Sequence, residues 1–269
     1  MLRGSVRPFV IAAVTTLVIA VLLALPDLIT RDGAAAWDSL FTERNTLWYF
    51  CEPPQIDRFI RQPSDTYSNL GFLFVGVVML GFAQRDRKSR APTFIVRNWI
   101  WSVLYGWALV LTFLGSGFFH ASLTWFGEWI DLVAVFAVGW LPVVVNFHRL
   151  QEAQGPQTSS RWLWLAVYLA LWLLSSYSIF RVKAWFTFPA VLGLIGLSSV
   201  WVQVRCGTRR SRGWMMGSIG LTLLAIMWFV FDIKRIGCDP ESWFQPHAMW
   251  HLTNAAAAGC FYGFMRRVG

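Results

Sequence analysis

The segment PHAMWHL (246–252) holds two of the four histidines of this 269-residue chain, four positions apart in an apolar stretch. Residues i and i+4 lie on the same face of an α-helix, so His247 and His251 could bind one ion between them. Three neutral imidazoles bind zinc tetrahedrally and leave the fourth position for a water, which is the arrangement of a catalytic site. A zinc hydrolase would therefore need a third histidine and a carboxylate, brought to this pair by other helices.

The composition is that of a membrane protein. Hydrophobic residues make up 56% of the chain and charged residues only 14%, whereas a soluble domain carries roughly a quarter charged residues. Several apolar runs have the length of about 20 residues that a helix needs to cross a bilayer. We therefore predict an all-α, polytopic membrane helix bundle. Its net charge of +9 is interpreted as a topology signal, and no nucleic-acid partner is expected.

Apolar runs separated by short polar connectors predict eight membrane-spanning helices. They cover residues 8–27, 65–84, 98–121, 128–148, 162–180, 185–204, 214–233 and 246–265. The first would be an extra N-terminal anchor (1–27), followed by an extracytoplasmic segment (28–64) and a seven-helix catalytic domain (65–269). The alternative for the first run is a signal peptide cleaved within GAAAW, although PDLITRDG separates the two by more than the usual few residues.

Lys and Arg residues give these spans an orientation. They favour one set of span ends, which comprises the N-terminus, 85–97, 149–161, 205–213 and the C-terminal tail. The positive-inside rule then predicts that both termini are cytoplasmic. The short loops and the basic N-terminus suit a multi-pass protein of a bacterial inner membrane.

The same orientation brings four side chains to one depth. His120 would lie near the extracytoplasmic end of its helix, His247 and His251 in the first two turns of theirs, and Asp131 at the opening of another. His148 would lie at the cytoplasmic end, apart from the others. This convergence predicts a zinc site near the extracytoplasmic face, with Asp131 as the base that takes a proton from water.

Four further side chains belong to the same level. Ser116 lies one turn before His120, where its hydroxyl could hydrogen-bond a developing oxyanion. Ser68 and Asn69 could hold a histidine or Asp131, although a hydrogen bond between helices is the default for asparagine in lipid. Trp250 would pack its helix or contact the substrate.

Simpler interpretations of the site residues stay open. A histidine near a membrane interface is commonly solvated or hydrogen-bonded without any metal. Asp131 could cap its helix, and Ser116 could serve as a small residue that lets two helices approach.

Three motifs, in order along the chain, together resemble the alkaline ceramidases. YFCEPPQIDRFIRQPSDTYSNLGFLF (49–74) is similar to the Cys-Glu segment that opens that family. GSGFFHASL (115–123), followed by EWIDL, resembles its Gly-Ser-x-x-x-His motif and later aspartate, and HAMWHL (247–252) resembles its closing His-x-x-Trp-His. The resemblance covers about residues 49–265 and extends to a wider group of seven-helix zinc hydrolases that includes adiponectin-type receptors.

The resemblance implies a role for each matching residue. His120, His247 and His251 would be the zinc ligands, Asp131 would activate the water and Ser116 would line the zinc site. Proteins of this family hydrolyse the amide of ceramide to a sphingoid base and a fatty acid. The expected partner is therefore a ceramide-like lipid within the bilayer, in sphingolipid metabolism, and no obligate protein partner is expected.

The resemblance also bears on the segment around Cys51. That family bridges this segment to the last extracytoplasmic loop, which implies a disulfide between Cys51 and Cys238; from the residues alone, two unpaired thiols remain the alternative. Its eukaryotic members also hold Ca²⁺ around the Cys-Glu segment. Here only Glu52 matches clearly, and Tyr49 lies where an aspartate is expected, so Ca²⁺ is the weaker of the two metal expectations.

Two other function classes are weighed against the hydrolase. A seven-helix receptor or binding protein with structural zinc would need a fourth protein ligand, and the sequence offers three good ones. A transporter that relays protons through histidines would carry polar residues through the inner half of its helices, but LVAVFAVGWLPVVV (132–145) is apolar. Within the hydrolases, a glycerolipid or GPI-type ester is the main competing substrate.

Overall fold

The computed structural model describes residues 3–29, 37, 50–89, 91, 93–155, 160–179, 181 and 184–268. Within these ranges the chain forms ten α-helices and no β-strand. The helices are α1 (Arg3–Ile29), α2 (Pro63–Ser68), α3 (Leu70–Lys88), α4 (Phe94–Arg97), α5 (Ile100–Ser122), α6 (Trp125–Glu152), α7 (Arg161–Ser178), α8 (Ala184–Cys206), α9 (Arg209–Lys234) and α10 (Pro246–Met265). Most of the predicted segment 28–64, including Tyr49, lies outside the described residues.

Six stretches of the described chain are long and apolar enough to cross a membrane. They are Val6–Asp27, Pro63–Lys88, Ile100–Ser122, Trp125–Glu152, Thr187–Cys206 and Arg209–Lys234. The predicted all-α, polytopic helix bundle is therefore confirmed. The other two predicted spans, α7 and α10, are helices that do not reach this standard. In α10 the reason is visible, because it carries both histidines together with Thr253 and Asn254 among its apolar residues.

The helix bounds differ from the prediction where capping residues decide them. The helix predicted at 65–84 begins at Pro63, whose ring suits the first helical position, and it divides at Asn69 into α2 and α3. The helix predicted at 128–148 begins at Trp125, because the Thr124 side chain accepts the Gly127 N–H and caps it. The expectation that Asp131 opens or caps this helix is therefore wrong.

Helix α10 packs against α9, α3 and α2, while α5 packs against α3 and α6, and α6 contacts α7 and α8. Glycines allow the close approach of α3 to α5: a Cβ added at Gly76 would lie 2.8 Å from the Gly106 carbonyl oxygen. Large buried side chains such as Trp101, Tyr105 and Phe261 fill the core between these helices. The central helices are therefore held by tight packing, which keeps the side chains on them in register.

Helix α1, the predicted anchor, lies against α3. A Cβ added at Gly81 would lie 2.8 Å from Pro8 Cβ, and the Phe9 ring meets the Phe82 ring edge-on with centroids 5.9 Å apart. At the far end of α1, the Asp27 carboxylate accepts the Ile60 N–H at 3.1 Å. The first helix is therefore packed against the bundle at both of its ends.

A disulfide joins Cys51 to Cys238, with their Cα atoms 5.6 Å apart. This pairing confirms the disulfide that the resemblance implied, and the other two cysteines, Cys206 and Cys260, are free. We call the end of the bundle that carries this bond, with residues 50–62 and 235–245, the disulfide end. The opposite end carries the C-termini of α3, α6 and α10.

Candidate metal centre

Three histidines meet at the disulfide end. His120 from α5 and His247 and His251 from α10 are exposed by 0%, 5% and 4% respectively. Their ring centroids are 4.9 Å apart for His120 and His247, 5.1 Å for His120 and His251, and 4.7 Å for the α10 pair. One ring nitrogen from each lies within 4.8 Å of the others. The convergence predicted from the membrane topology is therefore present as a compact trio.

Local structure explains how His120 comes to this position. Helix α5 ends two residues later at Ser122, and the next residue, Leu123, is buried and in the left-handed conformation with φ of 50°. The carbonyls at the C-terminus of a helix need partners outside the helix. Here Gln62 N–H donates to the His120 carbonyl at 3.1 Å and Arg61 N–H to the Ala121 carbonyl at 3.0 Å. The chain from Cys51 to α2 therefore closes over the end of α5.

Two of the histidines have a defined tautomer. The Gln62 side-chain amide donates to the Glu52 carbonyl, so its oxygen is left to accept from His120 Nδ1 at 2.8 Å. The Ser68 hydroxyl donates to a backbone carbonyl and is left to accept from His251 Nδ1 at 2.8 Å. Both rings therefore carry their proton on Nδ1 and present a lone pair on Nε2 to the centre.

The third ring follows the same pattern. His247 Nδ1 lies 3.2 Å from Asp232 Oδ2, and a carboxylate favours a proton on the nitrogen that faces it. Asp65 adds a second buried carboxylate, with its Oδ2 3.9 Å from His120 Nδ1. Each histidine thus has its Nδ1 directed at another protein group, and His120 Nε2 has no hydrogen-bond partner among the described residues.

The predicted base and the predicted oxyanion donor lie beside this trio. The Ser116 side chain is hydrogen-bonded to the Asp131 carboxylate, and its Oγ is 3.4 Å from His251 Nε2. The Asp131 Oδ1 atom is buried and has no hydrogen-bond partner among the described residues. Ser116 therefore links the carboxylate of α6 to the nitrogen that a metal would take.

Glu52, the residue on which the Ca²⁺ expectation rested, is engaged by the backbone. Its two carboxylate oxygens accept the N–H groups of Ser64 and Asp65, each at 2.8 Å, at the start of α2. Burial raises the pKa of the Glu52 carboxyl, while these two hydrogen bonds act to lower it. Glu52 thus holds the beginning of α2 against the segment that follows Cys51.

The remaining residues singled out from the sequence, Asn69, Trp250 and His148, make contacts with other protein groups. Asn69 Nδ2 donates to the Asp65 carbonyl at 2.8 Å and lies 3.3 Å from His251 Nδ1. Trp250 packs on Phe229 of α9 with ring centroids 5.0 Å apart. His148 lies at the opposite end, as predicted, where its Nδ1 accepts from the Trp101 indole at 3.0 Å.

The residues present fit a divalent metal ion. His120 Nε2 is buried without a hydrogen-bond partner in the described chain, although a buried polar atom normally has one. Neutral imidazole is a common ligand for zinc and other transition metals. Asp65 and Asp232 also place carboxyl groups against His120 and His247, and metal-ligating histidines commonly have a carboxyl group beside their second ring nitrogen. The donor set indicates a three-histidine metal site and leaves the identity of the metal open.

The fold and this cluster define a class: a multi-pass membrane helix bundle with a possible metal site at one end. Comparison of the chain with protein-family models and with curated proteins finds no match.

Sequence reasoning missed three residues of the site: Gln62, Asp65 and Asp232. Asp232 had a signal, because it is an acidic residue inside the apolar run FVFDI of a predicted span, and such residues usually have a function. Gln62 had none, since its contact with His120 depends on how the irregular segment before α2 folds.

Proposed function

We propose that this protein is a zinc-dependent integral-membrane hydrolase that cleaves the amide bond of ceramide, releasing a sphingoid base and a fatty acid. In this proposal α1 is an anchor added to a seven-helix catalytic unit, and the metal site faces the extracytoplasmic side. The motif resemblance supplies the substrate class, and the described contacts supply the arguments for the chemistry.

One observation carries the proposal: a nitrogen of each of three buried histidines lies within 4.8 Å of the others, with the Ser116 hydroxyl 3.4 Å from His251 Nε2 and the Asp131 carboxyl group next to Ser116. A structural zinc site closes all four positions with protein ligands, whereas a catalytic site keeps one for water or substrate. The trio offers three nitrogens, and the next polar groups, Asp131 and Ser116, suit proton transfer and hydrogen bonding. This set favours hydrolysis over a purely structural metal.

The protein groups have separable tasks in such a reaction. A bound zinc ion would supply Lewis acidity and lower the pKa of an adjacent water. Asp131 takes the proton from the attacking water and returns it to the nitrogen of the leaving sphingoid base. The Ser116 hydroxyl donates a hydrogen bond to the oxygen of the former amide carbonyl as negative charge develops there. To do so it must release the Asp131 carboxylate to which it is bonded.

The test measures metal content by elemental mass spectrometry, and ceramide cleavage with a fluorescent ceramide, on the purified full chain. Wild type is compared with a His247→Ala/His251→Ala double variant and with His148→Ala, which removes a buried histidine far from the trio. We expect about one zinc per chain in wild type and in His148→Ala, as for a single three-histidine site. In the double variant, metal and amide cleavage should be lost together.

Other outcomes separate the parts of the proposal. Zinc without ceramide turnover would reject the substrate and direct the search to glycerolipid or GPI-type esters. Metal-replete wild type that contains no zinc would reject the hydrolase mechanism altogether.

A further inference from the structure

We infer that Asp232 is the positioning residue for His247, and that through it the Cys51–Cys238 disulfide sets how tightly the centre holds its metal. The inference rests on the metal site of the proposed function, and it concerns ion retention rather than the lipid. Asp232 lies near the end of α9, is fully buried, and has no part in the amide cleavage described above.

The Asp232 carboxylate faces two donors at once. Its Oδ1 accepts the Cys51 backbone N–H at 2.8 Å, and its Oδ2 lies 3.2 Å from His247 Nδ1. Neither Oδ2 nor that nitrogen forms a hydrogen bond in the described part of the chain, so the 3.2 Å approach between them is a close polar contact that brings each to the other's only unfilled side. A carboxylate can accept from both sides, whereas an amide of the same shape has one acceptor oxygen. The two acceptor oxygens of aspartate therefore suit this position, and the single acceptor oxygen of asparagine does not.

Other neighbours of His247 cannot replace this contact. The Phe50 ring packs on the imidazole with centroids 4.4 Å apart, and the Phe229 ring lies at 6.2 Å. Aromatic rings restrict where the imidazole can go but offer no strong acceptor for an Nδ1 proton. The carboxylate thus selects the tautomer and rotation that direct Nε2 to His120 and His251.

The disulfide affects Asp232 through Oδ1, the carboxylate oxygen that accepts the Cys51 N–H. Cys238 follows Asp232 by six residues, and its bond to Cys51 fastens the loop after α9 to the segment before α2. That bond keeps the Cys51 N–H against Oδ1. Opening the disulfide would free the donor that orients Asp232, and the metal would be held less tightly.

The experiment compares metal retention in the purified full chain for wild type, Asp232→Asn and Asp232→Ala. Asp86→Asn is the matched control, because Asp86 is also buried and paired, with Arg266, but lies at the opposite end. Each protein is loaded with Zn²⁺, and its affinity is measured by competition with a chelator. The visible spectrum of the Co²⁺-loaded protein reports ligand geometry, and a thermal scan reports stability.

Loss of such a partner typically weakens metal binding by about 10–100-fold, and we expect this for both Asp232 variants, with an altered Co²⁺ spectrum. Asp86→Asn should lower the thermal midpoint while leaving metal affinity and spectrum unchanged. Reduction of the disulfide in wild type should weaken Zn²⁺ binding in the same direction, with little further effect in Asp232→Ala.

Two results would overturn the inference: wild-type affinity and spectrum in both Asp232 variants, or equal metal loss in Asp86→Asn. An additive effect of reduction in Asp232→Ala would reject the link through the disulfide. Because none of these measurements uses a lipid, wild type that binds Zn²⁺ but cleaves no ceramide would reject the proposed function and leave this inference standing.

Discussion

The two ends of the bundle use the same kinds of polar residue in opposite ways. At the opposite end, Asp86 is paired with Arg266 and Glu152 with Arg97, and His148 accepts from a tryptophan indole. At the disulfide end, His120 presents a buried Nε2 with no partner in the described chain. Each of these groups at the opposite end has a protein partner, whereas the disulfide end brings one ring nitrogen from each of three histidines within 4.8 Å of the others.

This difference separates polar groups that stabilise the fold from polar groups that can bind a ligand. A buried polar group without a partner costs about 1–3 kcal/mol, so a fold that only needed stability would pair the three histidines as it pairs His148. Instead, Gln62, Ser68 and Asp232 lie at the Nδ1 atoms of the three rings, and His120 Nε2 is left without a partner in the described chain. The disulfide end therefore contributes less to stability than the opposite end does, and it is better suited to bind a ligand.

The proposed difference between the two ends is tested most directly by removing one histidine from each end. His120→Ala should abolish metal binding and ceramide cleavage, because two imidazoles of one helix cannot complete the ligand set. His148→Ala should keep both, and should lower stability through the lost contact with Trp101. Elemental mass spectrometry and a thermal scan check the pair. Zinc content that falls equally in both variants would contradict the distinction between the two ends.

A second prediction separates binding from catalysis within the disulfide end. Asp131→Asn removes the proton acceptor but leaves all three imidazoles, so metal content should stay at the wild-type level. General-base catalysis contributes about 10²–10⁴-fold, and ceramide cleavage should fall by a factor in that range. Steady-state rates with fluorescent ceramide, normalised to bound zinc, measure it. Full activity in this variant would remove Asp131 from the mechanism.

The third prediction concerns the covalent closure of the disulfide end. A disulfide typically stabilises a fold by about 2–4 kcal/mol, so Cys51→Ser/Cys238→Ser should lower the thermal midpoint and speed zinc loss to a chelator. Cys260→Ser is the control, since it removes a free thiol from α10. A double variant with lower stability but unchanged zinc loss would show that the bond acts on the fold alone.

The sequence predicts the architecture well because the lengths of the apolar runs decide it. The helix predicted at 246–265 is observed with those bounds, and the spacing of His247 and His251 follows from helix geometry. The division at Asn69 and the early start of α6 were missed, because caps depend on single residues such as Thr124. The Nδ1 partners were also missed, apart from Ser68. Gln62 and Asp232 reach the centre only after distant segments meet.

The smallest expected effect comes from one neutral hydrogen bond at each end. Ser68→Ala removes the acceptor of His251 Nδ1, whereas Ser102→Ala removes a buried hydroxyl that contacts Tyr262 in the core. Each loss should cost about 0.5–1.5 kcal/mol of stability. Only Ser68→Ala should weaken zinc binding, by about tenfold, the lower limit for an outer partner of a metal ligand. Chelator competition checks this pair. Equal zinc affinity in both variants would mean that the other contacts of His251 orient it without Ser68, and the contrast between the two ends would then rest on Gln62 and Asp232.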